Sequence, residues 1–325
     1  MLVLGLQGSP RKNGNTNYLL NLVLEAAAEL GAETKPVQVP RKNIKPCIGC
    51  TNCERKGLCA IDDDDMTAEM YPLLRRADLV ILATPIYFYN ATAQMKMLID
   101  RSQTLWARKY KLGLVDPGRP SRKGMMLSVG ATKGKNLFEG MALTAKYFFD
   151  AVGASFESRL TYWRIEAPGD IKKHAAVADD VKMAIHGLAP IFSRKKILFV
   201  CRENACRSQM AAAFARYMAG DDLDVDCAGS RPAGEVNPLM QEVMAELGYD
   251  MAFCLPRSIE AAVGASRPHM IVTMGCAEEC PYIPAAEMLD WELEDPGRES
   301  MDVMRRVRDE IQARVEALIS RIGSK

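Results

Sequence analysis

Histidine is scarce in this sequence, and neither sign of charge dominates it. The three histidines, His174, His186 and His269, are scattered, so the sequence indicates neither a histidine ligand cluster nor a histidine base. Forty-two basic residues balance 41 acidic ones, and the longest run of one sign is Asp62 to Asp65. This balance gives no indication of nucleic acid or an anionic membrane as a partner. A small-molecule ligand is the better expectation.

Long apolar runs are also missing. No stretch approaches the ~20 apolar residues of a membrane span, and the apolar segment 1–6 is too short for a signal peptide and lacks its basic flank. We therefore expect a cytoplasmic protein. Cysteine, by contrast, is plentiful, with ten residues that lie mostly in tight clusters. In a reducing compartment, clustered cysteines favour metal binding or redox catalysis over a disulfide framework.

Apolar strand-like runs alternate with amphipathic helical stretches along the whole chain. This alternation predicts βαβ units, and therefore an α/β protein with doubly wound parallel sheets. The alternation restarts after a basic, proline-containing stretch at 189–196, and 325 residues suit two domains. We predict two such domains, 1–192 and 193–325. The predicted strands are 2–6, 79–84, 125–129, 195–200 and 223–227, and the predicted helices include 18–30, 93–105, 137–152 and one from about 299.

Near the start of the second domain, an apolar strand runs directly into Cys201, five further residues and Arg207. A strand that leads into a tight loop and then a helix can present a thiolate beneath an oxyanion. The backbone N–H groups of the loop point inward, and Arg207 adds a planar fork of donors. The same field favours the thiolate form of Cys201. Cys201 is the best candidate nucleophile, and Ser208 could donate a hydrogen bond to its sulfur.

Two cysteines and an aspartate further along could serve the same site. Cys276 follows an apolar run, and three residues separate it from Cys280. Both could be redox-active thiols, or simply small residues of the core. Asp295 directly precedes Pro296, and it could be a proton donor or only the N-cap of a helix.

Residues 195–325 resemble the low-molecular-weight tyrosine phosphatase fold, and the extra cysteine pair makes them resemble the arsenate reductases built on that fold. The resemblance implies that Cys201 attacks arsenate, that Cys276 displaces arsenite by attacking Cys201, and that Cys280 resolves the resulting disulfide. It implies that Asp295 protonates the leaving oxygen. The positions that carry the resemblance are Cys201, Asn204, Cys206, Arg207, Ser208, Gln209, Met210, Asp295 and Pro296.

The first domain opens with a strand that runs into a loop rich in hydroxyl and amide groups, 8–16, and then a helix. Such a loop at a helix N-terminus makes a phosphate site. A later strand ends in 84–90, which contains Tyr87 and Phe88. Open α/β sheets bind ligands at the carboxyl ends of their strands. A planar ring laid against the two aromatic side chains would fit there, although both could also be core residues.

Four cysteines lie between these two segments, with two, two and five residues separating them. Such a compact set suits a cubane iron-sulfur cluster better than a zinc ribbon, whose ligand pairs lie further apart. Zinc, or no metal at all in a flavoprotein of the quinone-reductase type, remains an alternative. The candidate metal ligands are Cys47, Cys50, Cys53 and Cys59.

These segments resemble the flavodoxin-like, NADPH-dependent FMN reductase family, and the cysteine pattern resembles its iron-sulfur flavoproteins. The resemblance implies FMN, one 4Fe-4S cluster, NAD(P)H as an electron donor and a homo-oligomer formed through the flavin domain. It implies that the FMN phosphate is held by Ser9, Arg11, Asn15 and Thr16. It implies that the rest of the flavin lies against Pro85, Ile86, Tyr87, Phe88, Val129 and Gly130.

Together the halves predict an oxidoreductase that reduces arsenate to arsenite. Reduction leaves an oxidised cysteine pair that needs two electrons, and a flavin carries two. We therefore predict that the flavin domain re-reduces the Cys276 to Cys280 disulfide, in place of or beside thioredoxin. A tyrosine phosphatase fused to an FMN-dependent NAD(P)H oxidoreductase, a thiol-based arsenic or redox sensor, and a flavin domain with a separate substrate are the alternatives.

Overall fold

The computed structural model describes residues 1–264, 267–275 and 287–323. Backbone contacts divide the chain into two compact units. One consists of Met1–Gly113 with Arg122–Phe192, and the other of Leu114–Ser121 with Ser193–Lys325. Among the described residues, no helix combines the length and the apolar composition that crossing a bilayer would require.

The first unit is built on a parallel sheet. Its strands are β1 (Leu2–Gln7), β2 (Glu33–Gln38), β3 (Leu79–Pro85), β4 (Lys123–Val129) and β5 (Ser155–Tyr162). They lie in the order β2-β1-β3-β4-β5, which is the doubly wound order of flavodoxin-like folds. β1, β3 and β4 are almost wholly buried, as expected of central strands covered on both faces.

Helices cover both faces of this sheet. They are α1 (Asn15–Glu29), α2 (Asn52–Lys56), α3 (Tyr71–Arg76), α4 (Ala93–Arg101), α5 (Gln103–Tyr110), α6 (Glu139–Ala151), α7 (Val177–Gly187) and α8 (Ala189–Phe192). A π-helical turn, Met66–Met70, precedes α3. On one face, α1 and α7 pack Leu20, Val23 and Val181 against the sheet in a single apolar cluster.

The second unit has a smaller parallel sheet. In its described part the strands are β6 (Lys195–Cys201), β7 (Leu223–Gly229), β8 (Met270–Thr273) and β9 (Glu287–Asp290), in the order β7-β6-β8-β9. The helices described there are α9 (Arg207–Ala219), α10 (Pro238–Glu246), α11 (Ile259–Val263) and α12 (Met301–Gly323). The core packs Phe199 of β6 with Phe214 of α9 and Ile311 of α12. The prediction of two doubly wound parallel-sheet domains is confirmed.

One local feature departs from the sequence prediction. The helix predicted over 93–105 is two helices, because Ser102 separates α4 from α5, and its hydroxyl donates to Leu98 O (3.0 Å) in competition with the backbone pattern. The segment Leu114–Ser121 groups with the second unit. There Val115 N donates to Gly248 O (2.7 Å), and Val115 O accepts from Asp250 N (2.8 Å).

Candidate functional site

Cys201 is the last residue of β6, an inner strand of its sheet, and α9 begins six residues later. Its side chain is 2% exposed. Asn204 N donates to Cys201 Sγ (3.2 Å), and Ser208 Oγ lies 3.0 Å from the same sulfur. Because Ser208 Oγ also accepts from Asn204 Nδ2 (2.8 Å), the hydroxyl proton of Ser208 is free to point at the sulfur. Both groups stabilise negative charge on Cys201.

Asn204 fixes the shape of this loop. It has a φ of +52°, a left-handed conformation that asparagine tolerates better than most residues, and it is fully buried. Asn204 Oδ1 accepts from Arg257 N (2.8 Å), and Asn204 O accepts from Gln209 Nε2 (3.1 Å). A Cβ on Gly229 would lie 2.9 Å from Asn204 N, so β7 needs glycine there. The positioning roles of Arg257, Gln209 and Gly229 were not predicted from the sequence.

Arg207 begins α9 and is only 5% exposed. Its Nη2 donates to Asp295 Oδ2 (2.7 Å) and its Nη1 to Leu293 O (3.3 Å). Its buried Nε has no hydrogen-bond partner among the residues that the structure describes. An unpaired, buried N–H on a cation calls for an acceptor, and a bound oxyanion would supply one.

Asp295 lies at the edge of this loop, with a side chain that is 58% exposed. Its Oδ2 pairs with Arg207, and its Oδ1 accepts from Gly297 N (3.1 Å). Because α12 begins only at Met301, Asp295 is not the N-cap of that helix. The structure therefore brings together five of the site residues proposed from the sequence: Cys201, Asn204, Arg207, Ser208 and Asp295.

Cys276 and Cys280 lie outside the described residues. Gly275, which precedes them, has a φ of +69°, and a Cβ added to it would lie 3.0 Å from Arg207 Nη1. The chain therefore passes beside Arg207 at the residue before Cys276. The other cysteines of this unit lie in or against its core. Burial raises the pKa of the Cys206 thiol to about 12 and that of Cys227 to about 11, so both stay protonated.

In the first unit, β1 leads into the loop before α1, where the phosphate site is predicted. α1 has Gly14 at its N-cap, no side-chain cap and no acidic residue in its first turn, which leaves the helix N-terminus open to an anion. Ser9 and Thr16 are buried there. Asn15 instead binds a neighbouring loop, donating to Ala167 O and accepting from Gly169 N, both at 2.9 Å.

Arg11 contacts that same loop, through Nη1 to Glu166 O (3.4 Å). The predicted phosphate residues therefore lie around one helix N-terminus. The Asn15 side-chain amide, however, is bonded to the loop 166–171 and holds that loop in place. The role of this loop was not predicted from the sequence. Its local signal in the sequence is the pair Pro168-Gly169, which indicates a turn but not a binding site.

The predicted flavin-ring residues lie at the carboxyl ends of β3 and β4. Pro85 pairs with Val129 across the two strands, and Ile86 N donates to Val129 O (2.9 Å). Gly130 follows directly, with its N bonded to Tyr162 O (2.9 Å). Four of the predicted residues are thus adjacent at one edge of the sheet, where an α/β protein of this kind binds its ligand.

Tyr87 and Asn90 close a two-residue hairpin, in which each backbone N–H donates to the other residue's carbonyl. Phe88 and Tyr89 at its tip have φ values of +47° and +63°, the conformation of a type I′ turn, which normally holds Asn-Gly. Strain of this kind clusters at functional sites. Phe88 is fully exposed and Tyr87 is 45% exposed, so neither is a core aromatic residue.

The four clustered cysteines line a single cavity of about 350 Å³. Cys47 and Cys50 are exposed, and Cys53 and Cys59 are half-buried. Burial, and next the charge of Cys59, raises the pKa of the Cys53 thiol. Across the described ranges, no three His, Cys, Asp or Glu side chains are arranged to hold a metal ion as they stand. Arg101 and Thr104 complete part of the cavity wall.

Comparison with known proteins assigns each half to a family. Residues 1–134 match the model described as NADPH-dependent FMN reductase, and residues 196–325 match that of low molecular weight phosphotyrosine protein phosphatase. The chain is 36% identical over 172 residues to an iron-sulfur flavoprotein of Methanocaldococcus jannaschii, which is 50% of this chain and 82% of that protein. It is 35% identical over 131 residues to the glutaredoxin arsenate reductase of Synechocystis sp., which is 40% of this chain and 99% of that protein.

Another iron-sulfur flavoprotein of Methanocaldococcus jannaschii is 45% identical over 105 residues, which is 32% of this chain and 53% of that protein. The chain covers 65% of the iron-sulfur flavoprotein of Methanosarcina thermophila, so it spans only part of these relatives' length. The chain therefore belongs to two families, as a flavoprotein domain of the NADPH-dependent FMN reductase and iron-sulfur flavoprotein group followed by an arsenate reductase domain of the low molecular weight phosphatase fold.

Proposed function

We propose that this protein reduces arsenate to arsenite by a cysteine relay that starts at Cys201, and that its flavin domain resets the relay. The observation that carries the proposal is the arrangement around Cys201 Sγ. Asn204 N and Ser208 Oγ lie 3.2 Å and 3.0 Å from the sulfur, and Arg207 presents a buried Nε without a partner among the described residues. The loop is thus ready for an anionic substrate above a nucleophilic sulfur.

Substrate binding would rearrange the Arg207 contacts. Nη1 and Nη2 are held by Leu293 O and Asp295, and an arsenate oxygen is a stronger acceptor for a cation than a neutral carbonyl. We expect arsenate to take the Nε donor first and then to compete for the other two. Once arsenate displaces it from Arg207, the exposed Asp295 carboxylate can take up a proton from solvent and give it to the oxygen that leaves.

The Cys201 thiolate then attacks arsenic, a sulfur–arsenic bond forms, and one oxygen leaves as water with the proton from Asp295. The Cys276 thiolate attacks Cys201 Sγ, and the electron pair of the sulfur–arsenic bond stays on arsenic, which leaves as arsenite. Cys280 attacks Cys276, which frees the Cys201 thiolate and leaves a Cys276 to Cys280 disulfide. Two electrons and two protons must return before the next cycle.

FMN fits the first unit, because an open helix N-terminus and a strained aromatic turn both lie at the carboxyl edge of its parallel sheet. Ser9, Arg11 and Thr16 would hold the phosphate, and Asn15 would act through the loop that it fixes. Residues 85–88, Val129 and Gly130 would hold the remainder. A bound flavin carries two electrons, which is the number that reduction of one cysteine disulfide requires.

An iron-sulfur cluster fits the four cysteines that line one cavity, because thiolates at this spacing suit a cubane cluster. We propose a 4Fe-4S cluster held by Cys47, Cys50, Cys53 and Cys59. We further propose the domain boundaries 1–192 and 193–325, a cytoplasmic location, NAD(P)H as the electron source and thioredoxin as a second reductant. Wholly exposed Phe88 supports a homo-oligomer formed through the flavin domain.

Rapid mixing of the dithionite-reduced full chain with arsenate, without oxygen, tests the proposed coupling. With excess arsenate we expect the flavin to become reoxidised, as its visible absorption shows, while two equivalents of arsenite form per chain, one from the reduced Cys276 and Cys280 thiols and one from the two electrons of the flavin. A flavin that stays reduced, together with arsenite that stops at one equivalent per chain until thioredoxin is added, would disprove the coupling and leave the arsenate chemistry intact.

Replacing Arg207 by lysine is expected to lower kcat/KM for arsenate by about 10²- to 10³-fold. Lysine keeps the charge but loses the planar fork and the buried Nε donor. The measurement is the rate of arsenite formation with dithiothreitol as reductant. Arg305→Lys is the matched control, since Arg305 lies on α12, pairs with Glu246 and does not contact the loop. Equal losses in the two variants would contradict the assigned role.

Replacing Gly140 by alanine is expected to weaken FMN binding about tenfold, or ~1.4 kcal/mol. A Cβ at Gly140 would lie 2.6 Å from Tyr89 O, so the strained turn would have to move. Gly187→Ala is the control, because a Cβ there meets nothing within 4 Å and alanine favours a helix. Fluorescence titration of the apoprotein with FMN measures both. An unchanged FMN affinity in Gly140→Ala would show that the turn at 87–90 does not contribute to the flavin site.

A further inference from the structure

Arg101 and Asp64 form a buried ion pair beneath the four-cysteine loop. Arg101 is 1% exposed and the Asp64 side chain 0%. Arg101 Nη1 donates to Asp64 Oδ2 (2.5 Å) and Nη2 to Asp64 Oδ1 (3.3 Å), the two-pronged geometry of a strong arginine–carboxylate pair. Neither residue belongs to the flavin or arsenate chemistry described above.

This pair joins the two ends of the loop. Arg101 Nη1 donates to Lys45 O and Nη2 to Ile61 O, both at 2.9 Å. Lys45 lies two residues before Cys47, and Ile61 lies two residues after Cys59. Asp64 Oδ2 also accepts from Lys45 N (2.9 Å). One guanidinium therefore holds the backbone on both sides of the cysteine set, which fixes how far apart the first and last thiols can lie.

Both members of the pair are charged. Burial acts to lower the pKa of Arg101, but the hydrogen bond to Asp64 and the negative charges around the guanidinium together outweigh it, and the net shift is upward. Burial acts to raise the pKa of Asp64, but the hydrogen bonds from Arg101 and Lys45 N lower it overall. The charges are not equally close to the cysteines, because Arg101 lines the cavity and Asp64 is not among the described residues that do.

Arg101 also has a spare donor. Its Nε is buried and has no hydrogen-bond partner within the described part of the chain. Hydrogen bonds and charges near the sulfurs set the potential of an iron-sulfur cluster. One-electron reduction adds a negative charge to the cluster, so a positive charge on the cavity wall stabilises the reduced form.

We propose that Arg101, held by Asp64, is a positioning residue of the four-cysteine site and that its fixed charge raises the reduction potential of the cluster bound there. This inference rests on the proposed function, since it needs the 4Fe-4S cluster. The Arg101 guanidinium is bonded to Lys45 O, Asp64 and Ile61 O, so we expect any effect on the flavin or the arsenate site to pass through the potential of the cluster.

The test is a redox titration of the anaerobically purified full chain with dithionite and mediators, followed by electron paramagnetic resonance. In the neutral pair Arg101→Gln with Asp64→Asn, we expect the equilibrium constant for reduction to fall about tenfold, which is about 59 mV for one electron. Asp64→Asn alone leaves the arginine charge uncompensated, so its potential should shift upward. Iron release to a chelator should be faster in the neutral pair, because the loop ends are no longer joined.

Arg108→Gln is the matched control. Arg108 Nη1 donates to Gly57 O (2.9 Å) within the same loop, but Arg108 does not line the cavity. We expect its potential to change much less than that of the neutral pair. A merely structural role would give the Arg101 and Asp64 variants shifts of the same sign or no shift, whereas the proposal requires opposite signs.

The titration distinguishes failure of the proposed cluster from failure of the proposed role of Arg101. A wild-type protein without iron and sulfide would disprove the proposed cluster. A wild-type protein that contains the cluster, with potentials that stay the same in the variants, would overturn the role of Arg101 and leave the cluster in place. If the variant with both substitutions does not fold, Asp64→Asn alone still tests the proposal. A reduction potential of its cluster that falls or stays constant relative to the wild type contradicts the proposal.

Discussion

Replacing Cys201 by serine is expected to abolish arsenite formation, with a loss of about 10⁴-fold or more. A serine hydroxyl at this position is not ionised at neutral pH, and an alkoxide that did form could not accept a second sulfur to release arsenite. The N–H of Asn204 and the hydroxyl of Ser208 would then face a neutral oxygen instead of a thiolate. Arsenite formed with dithiothreitol measures the loss.

The control for this variant is Cys227→Ser. Cys227 is buried in β7, and burial keeps its thiol protonated, with a pKa of about 11. We expect it to keep its turnover. Both variants should bind as much flavin as the wild type, because Cys201 and Cys227 belong to the second unit. Substantial turnover in Cys201→Ser would show that Cys201 is not the nucleophile and would overturn the proposed function.

The proximity of several residues around Cys201 could be predicted from the sequence alone, for a physical reason. Cys201, Asn204, Arg207 and Ser208 lie on one continuous strand, loop and helix, so their proximity follows from local rules. The end of β6 at Cys201 and the beginning of α9 at Arg207 place sulfur, amides and guanidinium close together. Asn204 was identified for the same reason.

Contacts between distant segments could not be predicted in this way. Arg101 and Asp64 are 37 residues apart, and Asn15 binds a loop more than 150 residues away. Hydrophobic periodicity places these residues on a helix or in a loop, but it carries no information about which segment they meet. The strained turn at Phe88 and Tyr89 was hidden for another reason, since type I′ turns are recognised by Asn-Gly, and these two aromatics have none of that pattern.

Replacing Cys276 by serine is expected to remove catalytic arsenite formation while leaving hydrolysis of a chromogenic phosphate ester unchanged. Ester hydrolysis needs only the Cys201 loop and water, whereas arsenate reduction needs a second thiol to attack Cys201. Without it, the sulfur–arsenic bond can only be hydrolysed, which returns arsenate. Arsenite in Cys276→Ser should stay below one equivalent per chain, as measured after acid quench, and the ester assay on the same sample serves as its internal control.

Cys280→Ser distinguishes the steps of the relay. Its Cys276 can still attack Cys201, so one equivalent of arsenite should form, and turnover should then stop with a Cys201 to Cys276 disulfide that mass spectrometry of the alkylated protein detects. A tyrosine phosphatase would give a different pattern, in which arsenate only inhibits and neither substitution matters. A sensor would bind arsenite stoichiometrically in the wild type without turnover. The three patterns differ in the amount of arsenite formed per chain, so one assay separates an arsenate reductase from both alternatives.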